Sequence, residues 1–177
     1  MKKLCDGLTL FRLAACLALI ADGLILGPSG ARLAIVLLIL GYTSDILDGR
    51  VARTTNKPPT KIGDHEIIFD MLLVIGSVFY LGLAGFMPGV LAYPWAGWLL
   101  LIIFLRSSVI FSIFKGTTVT ITLPLLIFLS EDWLMLLVAL LWGAFALLLN
   151  QKRARERFVS WRKIFQTIFE KLKKTTG

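Results

Sequence analysis

Residues 132–150 read DWLMLLVALLWGAFALLLN, and between Asp132 and Asn150 no side chain carries a charge. A helix at a water-facing surface shows a polar stripe every three or four residues, and this one shows none; helices apolar all round sit in a large core or in a bilayer. Working outward, five more stretches share this character: 8–27, 31–50, 65–87, 94–114 and 117–130. Crossing a hydrocarbon core of ~30 Å takes about 20 helical residues. Between the stretches lie turn signals: Gly27-Pro28-Ser29-Gly30, Pro88-Gly89 with Pro94, Lys115-Gly116, and Ser130-Glu131-Asp132. The reading is an all-α, polytopic membrane protein with six transmembrane helices over residues 1–150.

Composition agrees. Of 177 residues, 57% are apolar and 17% charged, against about 45–50% and about 25% in an average soluble domain. Disordered, collagen-like and disulfide-scaffold classes are excluded, and one soluble core cannot hide this much apolar surface. Cys5 and Cys16 are eleven apart and form no metal-binding spacing; both read as structural. Lys2 and Lys3 precede an apolar run, as in a signal peptide, but Arg12 and Asp22 interrupt it and no small-residue cleavage pattern follows, so it reads as a retained span.

Charge orients the spans. With the N-terminus inside, the inner segments hold Lys2, Lys3, Arg53, Lys57, Lys61 and Lys115, with Arg50 at the edge. The outer loops hold Glu131, Asp132 and, near the first of them, Arg32. The positive-inside rule therefore places both termini in the cytoplasm. Residues 151–177 form a separate basic unit, with nine Lys/Arg against two Glu. Phe158, Trp161, Ile164, Phe165, Ile168, Phe169 and Leu172 recur in it at helical spacing. This is the pattern of an amphipathic helix lying on an anionic lipid surface. Nothing suggests a nucleic-acid partner.

Ionisable residues within spans are costly and mark functional sites, and here they cluster. The second stretch ends Asp45-Ile46-Leu47-Asp48-Gly49-Arg50-Val51-Ala52-Arg53; the third begins Asp64-His65-Glu66-Ile67-Ile68-Phe69-Asp70. At ~100° per residue, Asp45 and Asp48 share one helix face, and so do Glu66 and Asp70, whereas Asp64 and His65 point elsewhere. The short link through Pro58-Pro59 suggests that the two helices are antiparallel neighbours. Four carboxylates converging at cytoplasmic depth call for hard divalent cations with oxygen ligands, an arrangement suited to phosphoryl chemistry with one carboxylate taking a proton. Gly49 and Ala52 leave room beside the backbone, and Arg53 can meet a phosphate.

The spacing Asp45-x-x-Asp48-Gly49-x-x-Ala52-Arg53, followed by Glu66 and Asp70, resembles the signature of the CDP-alcohol phosphatidyltransferases. That signature is Asp-x-x-Asp-Gly-x-x-Ala-Arg, then Gly-x-x-x-Asp-x-x-x-Asp. Its first half matches at every fixed position. In the second, Glu66 stands where the family has Asp, and Ile62 stands at the glycine, with Gly63 displaced by one. Leu8-Thr9-Leu10-Phe11-Arg12 also looks like the start of the first span in the family's bacterial phosphatidylglycerophosphate synthases. The resemblance covers about residues 8–150. It implies six spans and commonly a homodimer, a cytoplasmic-side site in the bacterial inner membrane, and transfer of a phosphatidyl group from CDP-diacylglycerol to a small alcohol with release of CMP. It further implies Mg²⁺ or Mn²⁺ held by Asp45, Asp48, Glu66 and Asp70, with Asp70 as general base. Gly49, Ala52 and Arg53 would contact the CDP moiety, and Arg106 the acceptor phosphate. Glycerol 3-phosphate is the expected acceptor; inositol phosphate and serine are alternatives. A catalytically weakened CDP-lipid-binding relative fits the two departures. A small ion-coupled carrier fits less well, because carriers place their acids near mid-membrane and often show a repeat. Arg12 is expected to snorkel or to pair with Asp22 or a helix end.

Overall fold

A computed structural model describes residues 2–54, 66–105, 118 and 121–149. Among these there is no strand. The helices are α1 (Lys2–Ile25), α2 (Ala31–Thr54), α3 (Glu66–Leu83), α4 (Gly89–Leu105), α5 (residues 121–129) and α6 (Trp133–Leu149). A 3₁₀ turn over Gly27–Gly30 joins α1 to α2, with Gly27 at φ 56° and Pro28 just inside it. The basic segment 151–177 lies outside the described residues. Packing divides the chain into one compact unit over Met1–Ala139 and another over Leu140–Gly177. The second begins inside α6, where Leu140, Leu141, Phe145, Leu147 and Leu148 are exposed.

Two segments, Asp6–Ile25 and Gly27–Asp48, are long and apolar enough to cross a bilayer; Ile68–Leu83, Gly89–Ile103 and Trp133–Leu148 are apolar but shorter. The 24 residues each of α1 and α2 make rods of about 36 Å. The 17 residues each of α4 and α6 reach about 25 Å. Helix bounds differ from the sequence reading where prolines were taken as stops. Helix α4 starts at Gly89 and runs through Pro94. Proline there removes one bond, to the carbonyl of Val90, in the second turn, and the neighbouring turns continue around it.

Helices α1, α2, α4 and α5 each bury one stripe, whereas the described residues of α3 are buried or half-buried all round and none of those of α6 is fully buried. On α1 the stripe is Thr9, Arg12, Ala15, Cys16, Leu19 and Asp22, spaced three or four apart apart from the Ala15–Cys16 step. On α2 it includes Ala34, Ile35, Leu38, Tyr42, Ser44 and Asp48. Met71, Val74, Ile75 and Val78 of α3 pack against Ala92, Ala96, Leu99 and Ile102 of α4. The opposite faces expose Leu17, Leu24, Leu33, Leu40, Leu101 and others. That is the pattern expected where the surroundings are lipid and packing, rather than escape from water, selects the interface. Close approach uses small residues: a Cβ on Gly76 would lie 3.0 Å from the Cys16 sulfur and 3.1 Å from its Cα. Cys16 is a free, buried thiol, as its apolar setting suggested.

The helix order is what positions the site. Helix α1 is the principal neighbour of both α2 and α3, which touch one another much less. The two acid-bearing helices are therefore bridged by α1 rather than simply paired. Small residues on the seam admit α3 at close range: Gly76 of α3 sits against Cys16 of α1, and Gly23 of α1 against Leu83 and Tyr80 of α3. At the opposite end, Asp132 caps α6 by accepting from the Met135 backbone N–H at 3.2 Å, and it pairs with Arg32 at the start of α2.

Candidate active site

The acids occupy one end of the helices: Asp45 and Asp48 lie in the last three turns of α2, and Asp70 is the fifth residue of α3. Asp48 and Asp70 are 3% and 8% exposed and Asp45 is half-buried. Helical periodicity aims Asp48 inward together with Ser44, one turn earlier. Between the two buried carboxylates sits the guanidinium of Arg12, which has no exposed surface. Its Nη2 donates to Asp48 Oδ2 at 2.9 Å and its Nη1 to Asp70 Oδ1. Its Nε donates to the Ser44 hydroxyl at 3.1 Å, and Nη2 also reaches the Ser44 carbonyl at 3.4 Å. The Ser44 hydroxyl in turn donates to the Gly41 carbonyl at 2.7 Å, and Thr9 donates to Asp48 Oδ2 at 3.2 Å.

Arg12 therefore neither snorkels nor pairs with Asp22, as the sequence alone suggested. Asp22 is 4% exposed and its two carboxylate oxygens have no hydrogen-bond partner among the described residues. An arginine deep in a span needs carboxylates or carbonyls at its own depth, and α1 carries Arg12 to the level of Asp48 and Asp70. Thr9, Arg12 and Ser44 are the members of this site that sequence reasoning did not assign. The signal was the Thr9-x-x-Arg12 spacing, which puts two polar groups on one face of an apolar helix.

Other expected members are only partly placed. Gly49, Ala52 and Arg53 belong to the final turns of α2, and Glu66 is the first residue of α3. The side chains of Ala52, Arg53 and Glu66, and all of Arg106, lie outside the described residues, as do Asp64 and His65. Among the described residues no three acids, histidines or cysteines come together as a metal cage. Two acids do converge, across Arg12. The donor chemistry fits a hard divalent cation: every candidate is a carboxylate.

The sequence matches the family model for CDP-alcohol phosphatidyltransferase over residues 2–168. The chain belongs to the CDP-alcohol phosphatidyltransferase family. No curated protein and no solved structure gives a significant match. Membership makes the chain a transferase of substituted phosphate groups, acting in phospholipid biosynthesis on a CDP-alcohol and an alcohol acceptor. The family is generally dependent on divalent metal, in keeping with the all-carboxylate donor set. Its members are integral membrane proteins, and the apolar helices with lipid-like exposed faces fit that setting. The region matched includes the whole of the Arg12–Asp48–Asp70 arrangement.

Proposed function

We propose that this phosphatidyltransferase is a phosphatidylglycerophosphate synthase, taking CDP-diacylglycerol as donor and glycerol 3-phosphate as acceptor and releasing CMP. The observation that carries the reading is the buried Asp48–Arg12–Asp70 arrangement at the ends of α2 and α3, in a chain of this family. The match of Leu8-Thr9-Leu10-Phe11-Arg12 supports the choice of acceptor, as do the basic residues available for a second phosphate.

The acceptor hydroxyl approaches Asp70. Oδ2 of Asp70 takes its proton while Arg12, bonded to Oδ1, fixes the plane of the carboxylate. The acceptor oxygen forms a bond to the lipid-side phosphorus, and the bond from that phosphorus to the CMP oxygen breaks, the electron pair leaving with CMP. Gly49 and Ala52 leave backbone space for the CDP moiety, and Arg53 pairs with its phosphates. Arg106 holds the acceptor phosphate through its planar fork. Asp45, Asp48, Glu66 and Asp70 would hold Mg²⁺ or Mn²⁺, which supplies charge neutralisation at the phosphate oxygens.

The chain acts as a homodimer of six-span protomers in the bacterial inner membrane. Both termini and the crevice are cytoplasmic, and residues 151–177 rest on anionic lipid. The basic inner loops and the basic, aromatic tail support this arrangement. The test is product identity. Purified protein is given CDP-diacylglycerol with glycerol 3-phosphate, inositol phosphate or serine, and the lipid products are resolved by mass spectrometry. Phosphatidylglycerophosphate as the dominant product supports the reading. Preference for an unphosphorylated alcohol removes the glycerol 3-phosphate assignment and leaves the family chemistry in place.

A further inference from the structure

The crevice carries its own cation. Arg12 is fully buried and reaches one carboxylate on each of two other helices. Two carboxylates enclosed at this depth without a counter-charge would strongly destabilise the fold. Arg12 removes that cost within the chain. It is also fixed in place, since Nε and Nη2 are bonded to Ser44 and the Asp48 oxygen that Nη2 meets is shared with Thr9. A rigid fork tied at three edges differs from a flexible ammonium, which would satisfy one partner at a time. The same positive charge, held against two of the acids that would ligate a metal, opposes a second cation by like-charge repulsion.

From this we propose that Arg12 is the resident counter-ion of the acidic crevice. It keeps Asp48 and Asp70 facing one another in the metal-free protein, and it holds the affinity for divalent cation below what the bare carboxylates would give. Arg12 is thus a positioning residue. It keeps the site assembled between metal-binding events and makes metal binding readily reversible. The second half of this statement rests on the metal-binding reading of the crevice; the first half rests on the ion pairs alone.

The experiment uses the full chain in detergent. Melting is followed in EDTA and in saturating Mn²⁺, and Mn²⁺ binding is measured by the loss of the free-ion EPR signal. Arg12→Met, which keeps the bulk and removes the charge, is expected to melt earlier than wild type in EDTA. Mn²⁺ should recover most of that loss, and the variant should bind Mn²⁺ at least about fivefold more tightly, the lower end of ordinary coupling between sites. Arg12→Lys should lie between. Adding Asp48→Asn and Asp70→Asn to Arg12→Met removes the charges that need balancing, so the triple variant should melt later in EDTA than Arg12→Met alone.

If Arg12→Met does not fold in EDTA, it is prepared in Mn²⁺ and then chelated. Unfolding on chelation, with the triple variant staying folded, gives the same support. Equal loss of stability in EDTA and Mn²⁺, with no recovery in the triple variant, overturns the counter-ion role and leaves Arg12 a packing residue. Weaker Mn²⁺ binding by Arg12→Met overturns the restraint on affinity. Wild type that binds no Mn²⁺ defeats the metal reading of the crevice, and the EDTA melts then still decide whether Arg12 balances the two acids.

Discussion

Replacing Asp70 with Asn separates chemistry from architecture. Asn keeps the shape of the side chain and an oxygen that can face Arg12 Nη1, but it does not accept the acceptor's proton at neutral pH. Loss of a general base typically lowers rate by about 10²–10⁴-fold, or about 3–5 kcal/mol of barrier at ~1.4 kcal/mol per decade. The structural loss is smaller. Arg12 retains Asp48, the Ser44 hydroxyl and the Ser44 carbonyl, so what goes is one charge-assisted bond, worth about 1.5–3 kcal/mol. Initial rates of CMP release at saturating donor and acceptor, beside melting curves of the same preparations, read the two effects separately. The expected variant is folded, melts somewhat earlier and has kcat reduced at least about a hundredfold. A folded Asp70→Asn protein that keeps more than about a tenth of wild-type kcat would refute the assignment of Asp70 as base, since a positioned base typically contributes at least about a hundredfold.

Two further outcomes follow from the same site, and one from the opposite end of the helices. Glu66→Gln should abolish activity and Mn²⁺ binding while Asp64→Asn is mild; the reverse would mean that Asp64, beside the displaced Gly63, is the ligand. Arg106→Ala should raise KM for glycerol 3-phosphate by an amount equivalent to about 2–5 kcal/mol, the usual effect of truncating one partner of a buried charge pair, with donor KM nearly unchanged; unaltered acceptor kinetics would make Arg106 structural. At the far end of the helices, the hydrogen bond from Arg32 holds the Asp132 carboxyl below its usual range. A lowered folded-state pKa stabilises above the unfolded value, and that contribution is lost as pH falls through the folded value. Asp132→Asn should therefore melt slightly earlier than wild type at neutral pH, with the two curves converging below about pH 4; a gap that persists at the acid end would assign the effect to something other than this carboxylate's charge.

That Asp48 and Asp70 stand at one end of α2 and α3 was legible because helical spacing is a local property; the expected convergence of all four acids is not decided by the described residues, of which only these two meet across Arg12. The charge that balances them was not legible. Arg12 meets Asp48 across 36 positions of sequence and Asp70 across 58, and no periodicity tells which helix enters between two others. The short link between α2 and α3 favoured direct pairing, whereas the small residues on the seam between α1 and α3 gave α1 the closer seat. Pro94 misled in a different way. As punctuation it reads as a stop, but one missing bond inside an apolar helix is tolerated, and α4 begins five residues earlier at Gly89.

The most direct test of the account is the dependence of CMP release on divalent metal. Wild-type protein is mixed with CDP-diacylglycerol and glycerol 3-phosphate, first in excess EDTA and then across a titration of Mg²⁺ or Mn²⁺. The account predicts no turnover in EDTA, saturable recovery on adding metal, and one phosphatidylglycerophosphate formed per CMP released. Full turnover in excess chelator, or no CMP release with any alcohol at saturating metal, would contradict it.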